Sequence, residues 1–128
     1  MSPTILLWAQ EEDHEELLAY NLIREGYIVS TVSSENEIVA QSIAINPDII
    51  LMGDCSTEEA FIEIVNKIKG SKLTSTPLVV CLTTKAVPSD DHPVCNASDA
   101  CLALPAKPKK IVKLVRKLIK NSDTKACC

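Results

Sequence analysis

Aromatic side chains and glycines are scarce in this sequence. Aromatic residues make up 3% of its 128 residues, and there are three glycines. The hydrophobic core must therefore be built from aliphatic side chains, in a chain of the size of one ordinary domain. No glycine-rich loop of the kind that binds a phosphate follows the first apolar run, so no cofactor is expected.

Long apolar stretches and a secretion signal are also missing. No apolar run approaches the ~20 residues that span a bilayer. The N-terminus has neither the basic start nor the cleavage pattern of a signal peptide. We therefore expect a cytoplasmic protein that has no membrane partner.

The cysteines and histidines do not form a metal-binding pattern. The six cysteines include no CxxC pair, and His14 and His92 are isolated, so no zinc-type site is expected. Cys81 lies within an apolar run, where a cysteine is typically a small buried hydrophobe. Without a secretion signal, reduced thiols are expected. Cys127 and Cys128 end a segment that we interpret as a disordered tail with exposed thiols, and intermolecular disulfides or lipidation are the alternatives.

Charge is divided unevenly along the chain. Residues 1–106 carry 5 basic and 16 acidic side chains, whereas residues 107–128 carry 8 basic and 1 acidic side chain. The basic segment contains a helical pattern at 107–120. Its exposed side is predicted to hold Lys109, Lys110, Lys113, Arg116, Lys117 and Lys120.

This basic helix has two interpretations. It is either a solvated face that offsets the acidic body or an electrostatic docking surface for an acidic protein. A nucleic acid is not the expected partner, because the body is negative and aromatic side chains are few.

Five short apolar runs alternate with helical patterns along the chain. The runs predicted to be strands cover residues 4–9, 27–32, 48–53, 77–83 and 100–104. The helical patterns cover residues 11–26, 34–44, 56–70 and 107–120. Capping-box spacing occurs near the start of the first three, at Asp13–Glu16, Ser34–Glu37 and Ser56–Glu59.

Apolar periodicity predicts which side of each helix is buried. The first helix has Leu17, Leu18, Leu22 and Ile23 on one face, and Gly26 is predicted to end it. The corresponding faces of the third and last helices are Phe61, Ile64, Val65 and Ile68, and Ile111, Leu114, Val115 and Leu118. The last helix also has Pro108 at a permitted position in its first turn.

The segment between the fourth and fifth predicted strands is different. It contains Pro88 and Pro93, and an interior proline costs a helix about 3 kcal/mol. The sequence therefore predicts that the fourth helix of a regular (βα)5 chain is short, displaced or absent here, within a mobile loop.

The alternation of strands and helices predicts an α/β fold. Strands 1, 3, 4 and 5 lack apolar–polar alternation, so each should be buried on both faces of a parallel sheet that has helices on either side. Right-handed crossovers favour a doubly wound, five-stranded sheet of order 2-1-3-4-5. Binding sites in such sheets lie at the carboxyl ends of the strands. The positions of interest are therefore Ala9–Glu12, Gly53–Cys55, Thr83–Thr84 and Leu104–Pro105.

Three segments match the order and spacing of one signalling family. They are PDIILMG (47–53), TPLVVCLTT (76–84) and SDACLALP (98–105). These segments resemble the third, fourth and fifth strands of the receiver domains of two-component response regulators. The resemblance covers roughly residues 4–120. It implies a single flavodoxin-like, CheY-like domain at 1–120, followed by a flexible tail at 121–128.

The resemblance also implies a phosphorylation site, but its chemical groups are missing. A working receiver has two acidic residues after strand 1 that help to hold Mg²⁺, an aspartate nucleophile at the end of strand 3 and a lysine at the end of strand 5. Aligned without gaps, Ala9 and Gln10 take the places of the acidic pair. Gly53 stands at the nucleophile position and Leu104 at the lysine position, while the Thr83 hydroxyl remains.

The leading hypothesis is therefore a non-enzymatic pseudo-receiver with no catalytic residue and no metal. Such a protein would act by binding a signalling partner, either a histidine kinase or another regulator, because degenerate receivers serve as docking or input modules.

Two other hypotheses stay open. Asp54 could accept a phosphoryl group if the preceding glycine redirects the chain, although a one-residue shift normally points a strand side chain to the other side. Glu11 and Glu12 could then join Asp54 in holding a metal. Alternatively, Cys55 could make the domain redox-responsive, which requires a lowered thiol pKa.

Overall fold

The fold was obtained as a computed structural model, which describes residues 3–9, 12–53, 58–70, 77–83, 100–103 and 107–126. The strands are β1 (Thr4–Trp8), β2 (Ile28–Thr31), β3 (Ile49–Met52), β4 (Leu78–Thr83) and β5 (Ala100–Ala103). The helices are α1 (Glu12–Arg24), α2 (Ile38–Ile45), α3 (Glu58–Gly70) and α4 (Pro108–Ala126), and a 3-10 turn at Glu35–Glu37 precedes α2.

The strands form one parallel sheet in the order β2-β1-β3-β4-β5, which confirms the predicted doubly wound α/β fold. Within it, Leu7 of β1 is level with Thr31 of β2 and with Leu51 of β3. Parallel neighbours need a crossover connection, which α1, α2 and α3 supply for the strands β1 to β4. The helix predicted to be short, displaced or absent falls in residues 84–99, outside the described residues.

The central strands bury side chains on both faces of the sheet. Ile50 and Val79 belong to a core cluster with residues of α2 and α3. Their chain neighbours, Leu51 and Val80, belong to a second cluster with residues of α1 and α4. All four side chains are fully buried. Because successive strand residues point to opposite faces, a strand covered on both faces shows no alternation of apolar and polar residues, as the sequence predicted for β1, β3 and β4.

The predicted buried face of α1 is correct for two of its four residues. Leu18 and Leu22 are buried, but Leu17 and Ile23 are 49% and 56% exposed. Residues four apart lie above one another on a helix, so Leu18 and Leu22 form one stripe against the sheet. Leu17 and Ile23 are each about 100° away from this stripe, on opposite sides of it, and a single flat sheet does not reach them.

Gly26 ends α1 as predicted. Its N–H donates to the Ile23 carbonyl at 3.0 Å, and the Tyr27 N–H donates to the Leu22 carbonyl at 3.3 Å. These two hydrogen bonds form a Schellman motif. The φ angle of Gly26 is +98°, which glycine adopts without strain. The chain therefore turns directly from α1 into β2.

The capping-box predictions are wrong in detail. α1 begins at Glu12, so Asp13 lies inside its first turn and not before it. Ser34 makes no side-chain capping hydrogen bond, and the Glu37 carboxylate accepts the N–H of Ser33 at 3.3 Å, one residue before the predicted partner. The tighter 3-10 geometry at this start changes which N–H the glutamate reaches. Ser56 lies outside the described residues.

α4 begins as predicted but extends farther. Pro108 is its first residue, and the preceding Lys107 carbonyl accepts the N–H of Lys110 at 2.9 Å. The helix continues to Ala126, because no proline or glycine follows Pro108 to stop it. Residues 121–126, predicted to be part of a flexible tail, thus continue the helix. None of the helices described is long and apolar enough to cross a membrane.

Candidate functional site

The carboxyl ends of β1 and β3 lie side by side at one edge of the sheet. Trp8 is level with Met52, and the Gly53 N–H donates a 2.9 Å hydrogen bond to the Trp8 carbonyl. Ala9, the next residue after β1, is 8% exposed. The structure therefore brings Ala9 and Gly53 together at the edge where doubly wound sheets bind their ligands.

A carboxylate reaches the same edge from α1. The Ala9 N–H donates to Oε2 of Glu15 at 3.1 Å, in a partly buried position. Glu15 lies near the start of α1, where a negative charge is also favoured by the helix dipole. This hydrogen bond thus links the backbone at the end of β1 to the first turn of α1.

Sequence reasoning missed Glu15 and selected Glu11 and Glu12 instead. A usable signal was nevertheless present in the helical spacing. Glu15 lies three residues before Leu18 and seven before Leu22, which places it on the inward stripe of α1. An acidic side chain on the inward stripe needs a hydrogen-bond partner, and the strand end supplies one.

Trp8 packs away from this edge. Its side chain is 7% exposed and belongs to the cluster that contains Val32, Ile38 and Phe61, beneath α2 and α3. The backbone of Trp8 is nonetheless one residue from Ala9. The chain has one tryptophan, so its fluorescence reports on the packing directly below the strand ends.

β4 delivers its last residue to the same edge. Cys81 is level with Met52, and Thr83 is level with Ala103 of β5. The backbone of Thr83 therefore lies two residues beyond the level of Met52, at the carboxyl end of the sheet. The Thr83 side chain is outside the description, so its predicted hydroxyl role stays a prediction. Cys81 is a buried, reduced thiol, as predicted.

Several predicted site residues lie outside the described residues. They are Gln10, Glu11, Asp54, Cys55 and Leu104, and for Glu12 only the backbone is described. Their predicted roles, including phosphoryl acceptance by Asp54 and metal binding by the glutamates, stay predictions.

The described part of this edge does not fit a divalent metal site. Mg²⁺ takes oxygen ligands, whereas the side chains of Ala9 and Gly53 carry no oxygen. The carboxylate of Glu15 is already hydrogen bonded to a backbone N–H. Within the described ranges, no group of three or more His, Cys, Asp or Glu residues is placed to hold a metal ion.

The basic face predicted for the last helix is exposed on α4. Its exposed lysines are Lys109, Lys110, Lys113 and Lys117. Arg116 differs from them, because its Nη2 atom pairs with Oε2 of Glu25, just beyond the end of α1. Arg116 is exposed as predicted, its ion pair links α4 to the segment that follows α1, and its predicted role in docking stays a prediction. The side chain of Lys120 is not described.

The similarity of this chain to known proteins lies in its fold. No family model and no curated protein matches the sequence. Solved structures do match. The chemotaxis response regulator CheY4 of Vibrio cholerae superposes with a TM-score of 0.80 and 18% identity, over 92% of this chain and 99% of that chain.

Receiver domains of histidine kinases are equally similar. That of the sensor histidine kinase PA1611 of Pseudomonas aeruginosa, solved with a magnesium ion in its active-site cleft, has a TM-score of 0.79 and 20% identity, over 94% of this chain and 99% of that chain. A signal receiver domain of a histidine kinase from Clostridium thermocellum has a TM-score of 0.79 and 18% identity over the same shares. The chain therefore has the CheY-like fold of response-regulator receiver domains.

Proposed function

We propose that this chain is an atypical receiver, or pseudo-receiver, that acts in two-component signal transduction by binding another protein, without conventional aspartate phosphorylation. The observation that carries the proposal is the position of Gly53, directly after β3 and hydrogen bonded to the end of β1. A phosphoaccepting receiver needs an aspartate nucleophile at the end of this strand, and glycine has no side chain.

The neighbouring positions support the same proposal. Ala9 stands where the resemblance places one of two acidic residues, and its N–H is bonded to Glu15. Leu104 stands where the resemblance places a lysine. An aliphatic side chain cannot neutralise the charge of a phosphoryl group, which proteins bind through cationic and N–H donors.

A phosphorylation assay tests the proposal. After incubation with acetyl phosphate or beryllofluoride in the presence of Mg²⁺, we expect no stable increase in mass. We also expect no Mg²⁺-dependent change in the fluorescence of Trp8. The Asp54→Asn variant is the matched control and should behave as the unaltered chain. An adduct that forms on the unaltered chain and is lost in Asp54→Asn would establish the phosphoaccepting alternative.

Thiol alkylation tests the redox alternative. The rate of alkylation is measured against pH for the unaltered chain and for Cys55→Ser. We expect no fast component that depends on Cys55. A component that Cys55→Ser removes, with a midpoint well below the usual thiol pKa of about 8.5, would favour a redox-responsive module instead.

The proposed partner is a signalling protein, either a histidine kinase or another regulator, and the proposed compartment is the cytoplasm. The likeness to receivers of response regulators and of histidine kinases supports this choice. We propose neither catalytic turnover nor a cofactor, and neither a nucleic acid nor a membrane as partner. If the exposed lysines of α4 make the contact, retention of the partner on the immobilised chain should fall as salt rises.

A further inference from the structure

The outer side of α1 exposes three large apolar side chains. Leu17, Tyr20 and Ile23 are 49%, 61% and 56% exposed, and the guanidinium of Arg24 lies 5.9 Å from the centre of the Tyr20 ring. These residues fall within one outward arc of the helix, opposite the buried stripe. Apolar side chains grouped on a surface mark a site of association more often than isolated ones do.

α1 and α4 together form one layer on the same face of the sheet. Both helices contribute to the same core cluster, and the ion pair between Arg116 and Glu25 joins them at the surface. α1 connects two parallel strands and therefore runs from their carboxyl ends back to the opposite edge. α4 starts five residues after β5 at the same carboxyl end, so the first turns of both helices lie at one end of the layer.

The two helices carry opposite charges at that end. Asp13 and Glu16 are exposed near the start of α1, and Lys109, Lys110 and Lys113 are exposed near the start of α4. The acidic and basic groups thus lie side by side on one surface and at the same height along it. A surface of this kind is complementary to itself.

We propose that this layer binds a second copy of the chain, with α1 of each copy lying on α4 of the other. A twofold axis parallel to the helices produces this arrangement, in which each contact between α1 and α4 occurs twice. Asp13 and Glu16 then face the lysines at the start of the other copy's α4. The apolar arc of α1 then lies against the aliphatic stems of Lys113 and Lys117, further along the other copy's α4, and such stems pack well against apolar surface.

Charge complementarity favours a second copy over an unrelated acidic protein. An acidic partner would match the lysines of α4 but would be repelled by Asp13 and Glu16 beside them, and only a surface with both charges satisfies both helices. The proposed dimer uses the basic face that the proposed function offers to a protein partner, and in that respect rests on the proposed function. It does not depend on the loss of phosphotransfer.

The size of the layer sets the strength of the contact. α1 has 13 residues and is therefore about 20 Å long, and two adjacent helices are roughly 20 Å wide. The resulting footprint is smaller than the ~800 Å² that a partner contributes to a standard interface. We therefore expect a weak dimer whose population rises with protein concentration and falls with salt.

Charge reversal and recombination test the dimer. Sedimentation equilibrium in the presence of reductant compares the full chain with an acid-reversed variant, Asp13→Lys with Glu16→Lys, and a base-reversed variant, Lys109→Glu with Lys113→Glu. Each variant alone should dimerise about tenfold more weakly or worse, which corresponds to about 1.4 kcal/mol. An equimolar mixture of the two should recover dimerisation, because both α1–α4 contacts in the mixed dimer are again attractive.

A matched control carries the same charge change elsewhere. Glu59→Lys with Glu63→Lys alters two exposed positions of α3, on the opposite face of the sheet, and should leave the dimer population within about twofold. Circular dichroism establishes that each variant is folded.

Two outcomes would overturn the dimer. One is a full chain that stays monomeric at every concentration, and the other is a mixture of folded variants that recovers nothing. Either result would leave the proposed function standing if no phosphoryl adduct forms. An adduct on Asp54 would remove the proposed function and leave the dimer untouched.

Discussion

At the scale of single residues, the ends of β1 and β3 meet at Ala9 and Gly53, whose side chains carry no oxygen. The hydrogen bond from Gly53 to Trp8 shows that the two strand ends are in register. The site is therefore aligned but lacks an oxygen-bearing side chain at these two positions. The proposed lack of aspartate phosphorylation rests on these residue identities, at positions that the resemblance to receivers assigns.

Introducing the side chains of a working receiver at these positions should create a Mg²⁺ site. The variant that combines Ala9→Asp, Gln10→Asp, Gly53→Asp and Leu104→Lys is expected to bind Mg²⁺ saturably and to change the fluorescence of Trp8. Because Ala9 is buried, the variant should also be less stable without Mg²⁺ and regain stability when it is added. Replacing the new aspartate at position 53 by asparagine is the control and should weaken Mg²⁺ binding. A folded variant that does not bind Mg²⁺ would show that these positions do not form a metal site.

Glu15 offers a second test at this scale. Glu15→Ala removes the acceptor of the Ala9 N–H and is expected to lower the free energy of unfolding by about 1 kcal/mol. Glu15→Gln keeps an acceptor oxygen and should lose less. Glu16→Ala is the matched control, since Glu16 is exposed on the same turn, and should lose less than about 0.5 kcal/mol. Urea denaturation measures all three, and equal losses for Glu15→Ala and Glu16→Ala would contradict the assigned role.

At the scale of elements, the ends of the helices decide how the chain enters the sheet. Gly26 ends α1 with a positive φ, whereas Asn46 ends α2 in the left-handed conformation at φ 53°. Both residue types tolerate this conformation better than others do. The stop signal at Gly26 was therefore reliable, whereas the capping boxes predicted at Asp13 and Ser34 did not form as predicted.

Gly26 and Gly70 form a matched pair that tests the role of backbone conformation at the ends of the helices. An added Cβ would meet nothing within 4 Å at either Gly26 or Gly70, but only Gly26 has a positive φ among the two. Gly26→Ala is therefore expected to destabilise the protein by about 1 kcal/mol through backbone strain. Gly70→Ala, at the last residue of α3, should stabilise it by about 0.5 kcal/mol through helix propensity. Thermal unfolding of both variants checks the opposite signs, and the same sign for both would refute the conformational explanation.

At the scale of the whole molecule, stability comes from an aliphatic sheet that is covered on both faces. The two core clusters share the strands β1, β3 and β4, whose alternate residues serve one cluster and then the other. A truncation in β3 therefore opens a cavity at the centre of the molecule, where few neighbours can move to fill it.

Leu51→Ala should show this central packing. Leu51 is fully buried, and the substitution is expected to lower the free energy of unfolding by about 3 kcal/mol through lost contacts and a cavity. Ile43→Ala on α2 is the control, because Ile43 is 55% exposed, and should change it by less than about 0.5 kcal/mol. Denaturant unfolding at low protein concentration measures both, and comparable losses would contradict a core centred on β3.

Charge is also organised at the level of the whole molecule. The basic segment begins at residue 107, and folding places it as α4 beside α1, whose first turns are acidic. The sequence predicted the basic face of this helix, but its neighbour on the sheet depends on strand order. The proposed dimer follows from that placement and not from either helix alone.

The sequence by itself determined the fold class, the strand order and which side chains stand at the ends of the strands. Apolar runs without alternation require burial on both faces of a sheet, and the handedness of crossovers leaves few orders for five parallel strands. Gly53 lacks a nucleophile in any fold. These conclusions rest on local pattern and residue chemistry, which need no distances.

The tertiary structure alone decided which side chains meet. It exposed Leu17 and Ile23, directed the Glu15 carboxylate to the Ala9 N–H and paired Arg116 with Glu25, 91 residues away along the chain. Each of these outcomes depends on where one element lies against another, to within the few ångströms over which hydrogen bonds and ion pairs act. Periodicity along a single element defines a face but not the neighbour that covers it.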